Sequence, residues 1–367
     1  MVPVTIVPIQ ILRACAAAMV VVHHGLHEAA ALNLAGSGAE AVARLPWWAG
    51  VDVFFVISGF IIVQASGPRY DAPGGRRRFL VHRVARVVPL YWLVTALYLA
   101  VALAAPSSLG DAGAAARDPG YVAASFLFWP ALRPDGTPQP LYGLGWTLNC
   151  EMVFYGLFAL GLGHGRRVAV AWIVGFLGLL TAAGALVPLS GLPLAFWSNP
   201  VVLEFALGAG LGLARSEGLR LPSPARLVLA VAGIGLLFLQ AGGADPEGFA
   251  RPLGFGLPAA MLVAAAAFGS AHEKRDPAPV RWLAAIGDAS YALYLVHPFV
   301  LRAAREGVLR LGLAPWLGTL GVLCLMLALS VGAALLVFRF VERPATRRLR
   351  VLLDPVPSPA GAPAKSV

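Results

Sequence analysis

The chain has 367 residues, 59% of them hydrophobic and only 13% charged, with a mean hydropathy of +0.76 and a formal net charge of +10. That composition lies outside the range of water-soluble domains and marks an integral membrane protein. The positive charge does not indicate nucleic acid, because the Lys and Arg residues are spread over short segments with no basic domain to present them; membrane topology accounts for them instead.

Apolar runs long enough to cross a bilayer as helices recur between short polar breaks. The sequence predicts an all-α polytopic bundle of about ten spans, at 6–26, 48–65, 87–105, 141–162, 168–187, 197–214, 226–241, 252–270, 287–304 and 314–338. With the N-terminus inside, the inner loops and tail hold 20 of the 28 Lys and Arg residues and the outer loops seven, so both termini are expected in the cytoplasm. A membrane domain over 1–345 is expected to lead into a disordered cytoplasmic tail over 346–367, whose Pro- and Ala-rich end, "DPVPSPAGAPAKSV", lacks apolar periodicity. Cys15, Cys150 and Cys324 fall within spans and read as small apolar residues rather than a disulfide framework. No cleavable signal peptide is expected, since an arginine interrupts the first apolar run and no basic segment precedes it. No internal repeat is visible.

Ionisable side chains inside a span are costly unless paired or turned toward a polar cavity, so each is a candidate for function. The first span contains "ILRACAAAMVVVHHG". Arg13 and His24 are eleven residues apart, which returns to within about 20° of one helix face and separates them by about 16 Å along the axis. His23 lies about 80° off that stripe. In the second span, "VDVFFVISGFII", Asp52 lies at a depth similar to His24 and either orients the imidazole or caps the helix. Ser58 and Gly59 read as close-packing residues.

In "RRRFLVHRVARVVPLYW", Arg83 and Arg86 share one helix face at the inner mouth of the third span. The pair suits phosphate, and equally serves as topogenic charge or a contact for anionic lipid. "LGWTLNCEMVFYGLF" carries Glu151 near the bilayer midplane, flanked by Trp146, Asn149 and Tyr155, and Glu204 in "SNPVVLEFALG" lies nearer the outer face. In "IGDASYALYLVHPF", Asp288 is expected to cap the ninth span; His297, deeper, needs a polar partner such as Tyr294 or Glu151, or is bonded within the bundle. Glu342 in "FVERPATRR" reads as a structural ion pair.

Taken together, "QILRACAAAMVVVHHG", "GVDVFFVISGFII", "RRFLVHRVARVVPLYW", "GWTLNCEMVFY", "NPVVLEFALGAGLG", "LGDASYALYLVHPF" and "VERP" resemble, in order, the acyltransferase-3 family of polytopic membrane proteins, in the form most similar to its exopolysaccharide-production branch. Two departures stand out: the first helix begins "PIQILRA" where many members have Asp-Gly-Leu-Arg, and no C-terminal esterase-like domain is expected. The resemblance implies transfer of an acetyl or other short acyl group from cytoplasmic acyl-CoA to a glycan or lipid-linked oligosaccharide hydroxyl, in a bacterial cytoplasmic (inner) membrane. It also implies that Arg13 and His24 form the reactive motif of the first helix.

On this reading the phosphates of acetyl-CoA lie near Arg83 and Arg86 and the pantetheine arm passes Arg13 toward His24, the general base. Asp52 orients His24, and Arg13 positions the donor or stabilises developing negative charge. Glu151, Trp146, Asn149, Glu204, Tyr294 and His297 are the expected substrate cavity. No metal is expected, membrane lipids are the surrounding partner, and homo-oligomerisation is left open. The competing reading is a transporter or flippase of a lipid-linked sugar, because buried ionisable groups also mark translocation routes.

Overall fold

Proline and glycine set the helix boundaries. Proline, whose missing N–H is no loss in a first helical turn, opens α1 (Val7–Ala30) and recurs at the start of seven of the fifteen later α-helices among the described residues. The computed structural model describes residues 6–32, 37–105, 111–187, 189, 191–243, 246–270 and 276–354; most of the tail expected after Leu353 lies outside them. All regular structure among these residues is helical. After α1 come α2 (Ser37–Ala43), α3 (Gly50–Ala65), α4 (Gly75–Ala104), α5 (Asp111–Ala115), α6 (Pro119–Phe126), α7 (Gly145–Gly161) and α8 (Gly165–Leu186). There follow α9 (Leu192–Trp197), α10 (Leu203–Ser216), α11 (Ser223–Phe238), α12 (Leu257–Ala267), α13 (Ala278–Asp288), α14 (Ser290–Arg310), α15 (Ala314–Val337) and α16 (Arg343–Leu353).

Five helical stretches among the described residues are long and apolar enough to cross a membrane: Val7–Ala30, Trp47–Ala65, Gly75–Ala104, Gly165–Leu186 and Ala314–Leu353. A sixth arises if α13 and α14, bent by 73° at their junction, count as one. Each of the ten expected spans coincides with a helix, but α7, α10, α11 and α12 have only 17, 14, 16 and 11 residues. Apolar composition carried the expected runs past the true helix ends. The run expected from 197, for instance, includes Asn199, whose side chain accepts from the Val201 N–H at 3.0 Å and holds a short 3₁₀ turn ahead of α10. Residues 346–353, expected within a disordered tail, are instead helical, because α16 continues to Leu353 and packs against α4.

Large apolar side chains on α8, α11 and α15, such as Leu179, Leu227 and Leu336, are exposed, as a lipid-facing surface requires. Inside, Phe205 stacks between Phe55 and Phe154, with ring centroids at 4.5 and 4.7 Å, and so joins α3, α7 and α10. The α3–α10 crossing depends on glycine: a Cβ at Gly59 would lie 2.1 Å from the Phe205 carbonyl oxygen, and one at Gly208 would lie 2.0 Å from that of Val56. Gly59 is thus a close-packing residue, as expected.

Candidate active site

A cavity of about 780 Å³ lies among α1, α3, α4, α7 and α14, with side chains from α8, α10 and α16 at one end. Its lining follows α3 from Val51 to Ala65, which at 1.5 Å per residue is about 21 Å, most of a hydrocarbon core. One end is rich in arginine: Arg83, Arg86, Arg166, Arg215, Arg220 and Arg350 all line it. Arg13 and Glu151 stand deeper, and the opposite end is closed by Phe54, Thr147 and Tyr294.

Arg13 is 8% exposed and gives one N–H to Gln10 Oε1 at 2.9 Å, a residue one turn earlier on the same face. Glu151 accepts from Ser58 Oγ at 2.8 Å and from the Tyr155 hydroxyl. Ser58 is therefore a hydrogen-bond donor rather than a packing residue. The Arg83 guanidinium lies over the rings of Phe79 and Tyr155, at 5.7 and 5.9 Å. Arg83, Arg86 and Arg13 thus line one cavity, Arg86 close to both of the others, and Glu151 lies near Arg83 and Arg13.

His24 pairs with His297. His24 Nδ1 is 2.9 Å from the Val20 carbonyl oxygen and 3.4 Å from His297 Nε2, while His297 Nδ1 is 3.0 Å from the Leu293 carbonyl oxygen. A carbonyl only accepts, so both rings carry hydrogen on Nδ1; His297 Nε2 then accepts a share of the His24 N–H, and His24 Nε2 keeps its lone pair. His297 is fully buried whereas His24 is half-buried, with His23 edge-on to it at 5.1 Å.

Arg13 lines the cavity, but His24 and His297 do not. Tyr294 stands between: its ring centroid is 6.3 Å from those of both Phe54 and His297, and its hydroxyl meets Thr147 Oγ1 at 3.0 Å and donates to the Leu144 carbonyl oxygen at 3.2 Å. The expected single open line from Arg13 to His24 is thus interrupted by one aromatic layer.

Asp52 has neither role expected of it. Its carboxylate is fully buried and paired with Arg251, at 2.9 Å to Nε and 3.2 Å to Nη2, and it forms no cap on α3. Depth along the helix was readable, but the direction in which Asp52 points depends on packing against the segment that carries Arg251. Arg251 precedes a π-helical turn, Pro252–Gly256, and lies over the Trp146 ring at 5.9 Å. Glu204 is also fully buried, and neither of its carboxylate oxygens has a hydrogen-bond partner. Of the expected cavity residues, Glu151 and Tyr294 line it; Trp146, Asn149, Glu204 and His297 do not. Trp146 packs instead on Phe55, centroids 6.0 Å apart, and Asn149 is buried.

Asp288 is exposed at the α13–α14 bend and caps neither helix. Glu342 is buried, with Oε2 lacking a hydrogen-bond partner, and makes no ion pair with a described residue, so its expected structural pairing is corrected. No group of three or more His, Cys, Asp or Glu side chains among the described residues is arranged to hold a metal ion.

Residues 7–335 match the acyltransferase domain family known as acyltransferase 3. The chain is 33% identical over 317 residues to the exopolysaccharide production protein ExoZ of Rhizobium meliloti (strain 1021), an alignment covering 82% of this chain and 90% of that one. It is 29% identical over 339 residues to the acyltransferase MdmB of Streptomyces mycarofaciens, covering 82% and 81%. No solved structure matches. The chain, with its first-helix arginine and histidine inside the matched region, therefore belongs to the acyltransferase-3 family and is a membrane acyltransferase.

Proposed function

We propose that the protein is an O-acyltransferase of a bacterial cytoplasmic membrane that carries an acetyl or other short acyl group from cytoplasmic acyl-CoA to a hydroxyl of a cell-surface glycan. The glycan is suggested by the exopolysaccharide role in the name of the Rhizobium meliloti relative. The observation that supports the reading most directly is the cavity itself. It runs about 21 Å from an arginine mouth to within one tyrosine ring of the His24–His297 pair.

In this reading the donor enters by the arginine-rich end, its phosphates held by Arg83 and Arg86 through charge-assisted hydrogen bonds. Arg13 holds the donor partway along. At about 16 Å from His24 along α1 it is too distant to bond the reacting oxygen, so its role is positioning. The thioester reaches His24 when the Tyr294 ring turns aside. His24 Nε2 takes the proton of the acceptor hydroxyl as its oxygen attacks the thioester carbonyl carbon. The tetrahedral intermediate collapses with loss of the CoA sulfur, which receives that proton from His24, leaving the ester and free CoA thiol. His297, rather than Asp52, positions His24 by accepting at Nε2.

The test is release of CoA thiol from acetyl-CoA by the purified protein in detergent, with and without a glycan acceptor. Acceptor-dependent thiol release that His24→Ala abolishes supports the reading. A transporter or flippase would cleave no thioester, and that result would replace it.

A further inference from the structure

The arginine mouth holds more cations than one phosphate pair needs. Arg83 and Arg86 belong to α4, and Arg350 of α16 lies near them. A second group comes from other elements: Arg166 at the start of α8, Arg215 in the last turn of α10, and Arg220 just beyond it. All six line the one cavity, and none forms an ion pair with a described residue. Nearby Glu217 is engaged elsewhere, by Arg167 at 2.5 and 2.7 Å.

The members of the second group differ in what they already hold. Arg215 donates to the carbonyl oxygens of Ala267 and Gly269, and Arg220 to those of Arg215 and Leu219, so both also brace the backbone. Arg166 lies over the Tyr70 ring at 5.3 Å, and its Nε is buried with no hydrogen-bond partner. A buried guanidinium N–H left without an acceptor is costly, and a bound anion removes that cost.

Resting on the acyl-CoA reading above, we infer that Arg166, Arg215 and Arg220 form a second phosphate site, separate from Arg83 and Arg86, which binds the ribose 3′-phosphate of the donor. CoA carries two separated anionic groups. Its pyrophosphate joins the pantetheine arm, and its 3′-phosphate lies past it, farther from the thiol. Arg86 leads inward toward Arg13, so the α4 pair meets the pyrophosphate. The rim trio at the ends of α8 and α10 then meets the remote phosphate. The site makes the enzyme selective for CoA over carriers that end at the pyrophosphate.

The experiment is direct binding of CoA and of 3′-dephospho-CoA to the purified full-length protein, wild type and Arg166→Gln, with folding followed by thermal melting. Wild type is expected to bind CoA about tenfold more tightly than dephospho-CoA, and Arg166→Gln to lose that preference while its affinity for dephospho-CoA stays unchanged. Arg166→Lys should retain part of the preference, and Arg220→Gln, at an exposed position, serves in the same way if Arg166→Gln does not fold. Equal binding of the two ligands by wild type overturns the second site and leaves the acyl-CoA reading standing. Equal weakening of both ligands by the variant does the same. Binding of neither ligand to wild type overturns both. Phosphatidylglycerol that displaces CoA from wild type but not from Arg166→Gln would assign the site to a lipid headgroup and likewise overturn the inference.

Discussion

Replacing Arg251 by Met removes the cation paired with the buried Asp52 carboxylate, beside which Glu204 is also buried. Asp52 is 0% exposed and has Arg251 as its ion-pair partner at 2.9 Å, and Glu204, also 0% exposed, has no hydrogen-bond partner at either oxygen. At 2.9 Å and an effective dielectric near 20 the Asp52–Arg251 attraction is on the order of 6 kcal/mol, much of it offset by the desolvation of both ions. Removing one partner leaves the other charge buried and uncompensated, so Arg251→Met is expected to cost about 3–5 kcal/mol. That corresponds to a melting temperature lower by something on the order of 5–10 °C. Adding Asp52→Asn to Arg251→Met removes the stranded charge and should restore most of the loss. The assay is thermal melting in detergent, with thiol release measured on each variant below its melting point. If Arg251→Met melts like wild type yet has lost transferase activity, Asp52 and Arg251 act in catalysis and the structural assignment made here is wrong.

Other expectations follow from single contacts. His24→Ala should abolish transfer while leaving the melting temperature within a few degrees of wild type, because the half-buried ring's bonds are to Val20 and His297; a variant that keeps activity excludes His24 as the base. Tyr294→Phe keeps the ring and should keep most activity, whereas Tyr294→Ala joins the cavity to the histidine pair and should raise acceptor-independent hydrolysis of acetyl-CoA; unchanged hydrolysis would argue against Tyr294 as the partition. Gly208→Ala places a Cβ 2.0 Å from the Val56 carbonyl oxygen, forcing α3 and α10 apart by about 1 Å at a cost of about 1–3 kcal/mol, which thermal melting would detect. Gly287→Ala, with its Cβ 1.9 Å from the Gln10 carbonyl oxygen, should displace the start of α1 and lower donor affinity through the Gln10–Arg13 bond.

The all-helical membrane character was legible in the sequence because composition fixes it; a period of 3.6 puts Arg13 and His24 near one stripe but does not fix their surroundings, for Arg13 lines the cavity and His24 does not. Arg13, Arg83, Arg86, Glu151 and Tyr294 line one cavity. Depth does not say which faces meet. Asp52, Glu204 and His24 were read near a common level, yet Asp52 turns to Arg251, 199 residues away in sequence, and His24 turns to His297, 273 residues away. Arg251 lies just before Pro252, at a helix start from which it reaches back into the bundle, a direction that its place in an outer loop does not reveal. Helix lengths failed for a related reason: apolar residues outside helices, such as those around Asn199 and Pro200, look the same as those within them.

In the proposed mechanism a donor in the arginine-lined cavity brings its thioester past Tyr294 to the side of His24, where the acceptor hydroxyl takes the acyl group. A cryo-EM map of the protein with a non-hydrolysable thioether analogue of acetyl-CoA tests it most directly. The carbonyl carbon is expected beyond the Tyr294 ring and about 6 Å from His24 Nε2, one hydrogen bond and one attack distance away. A carbonyl held beside Glu151 on the arginine side of Tyr294, with that ring unmoved, would contradict it.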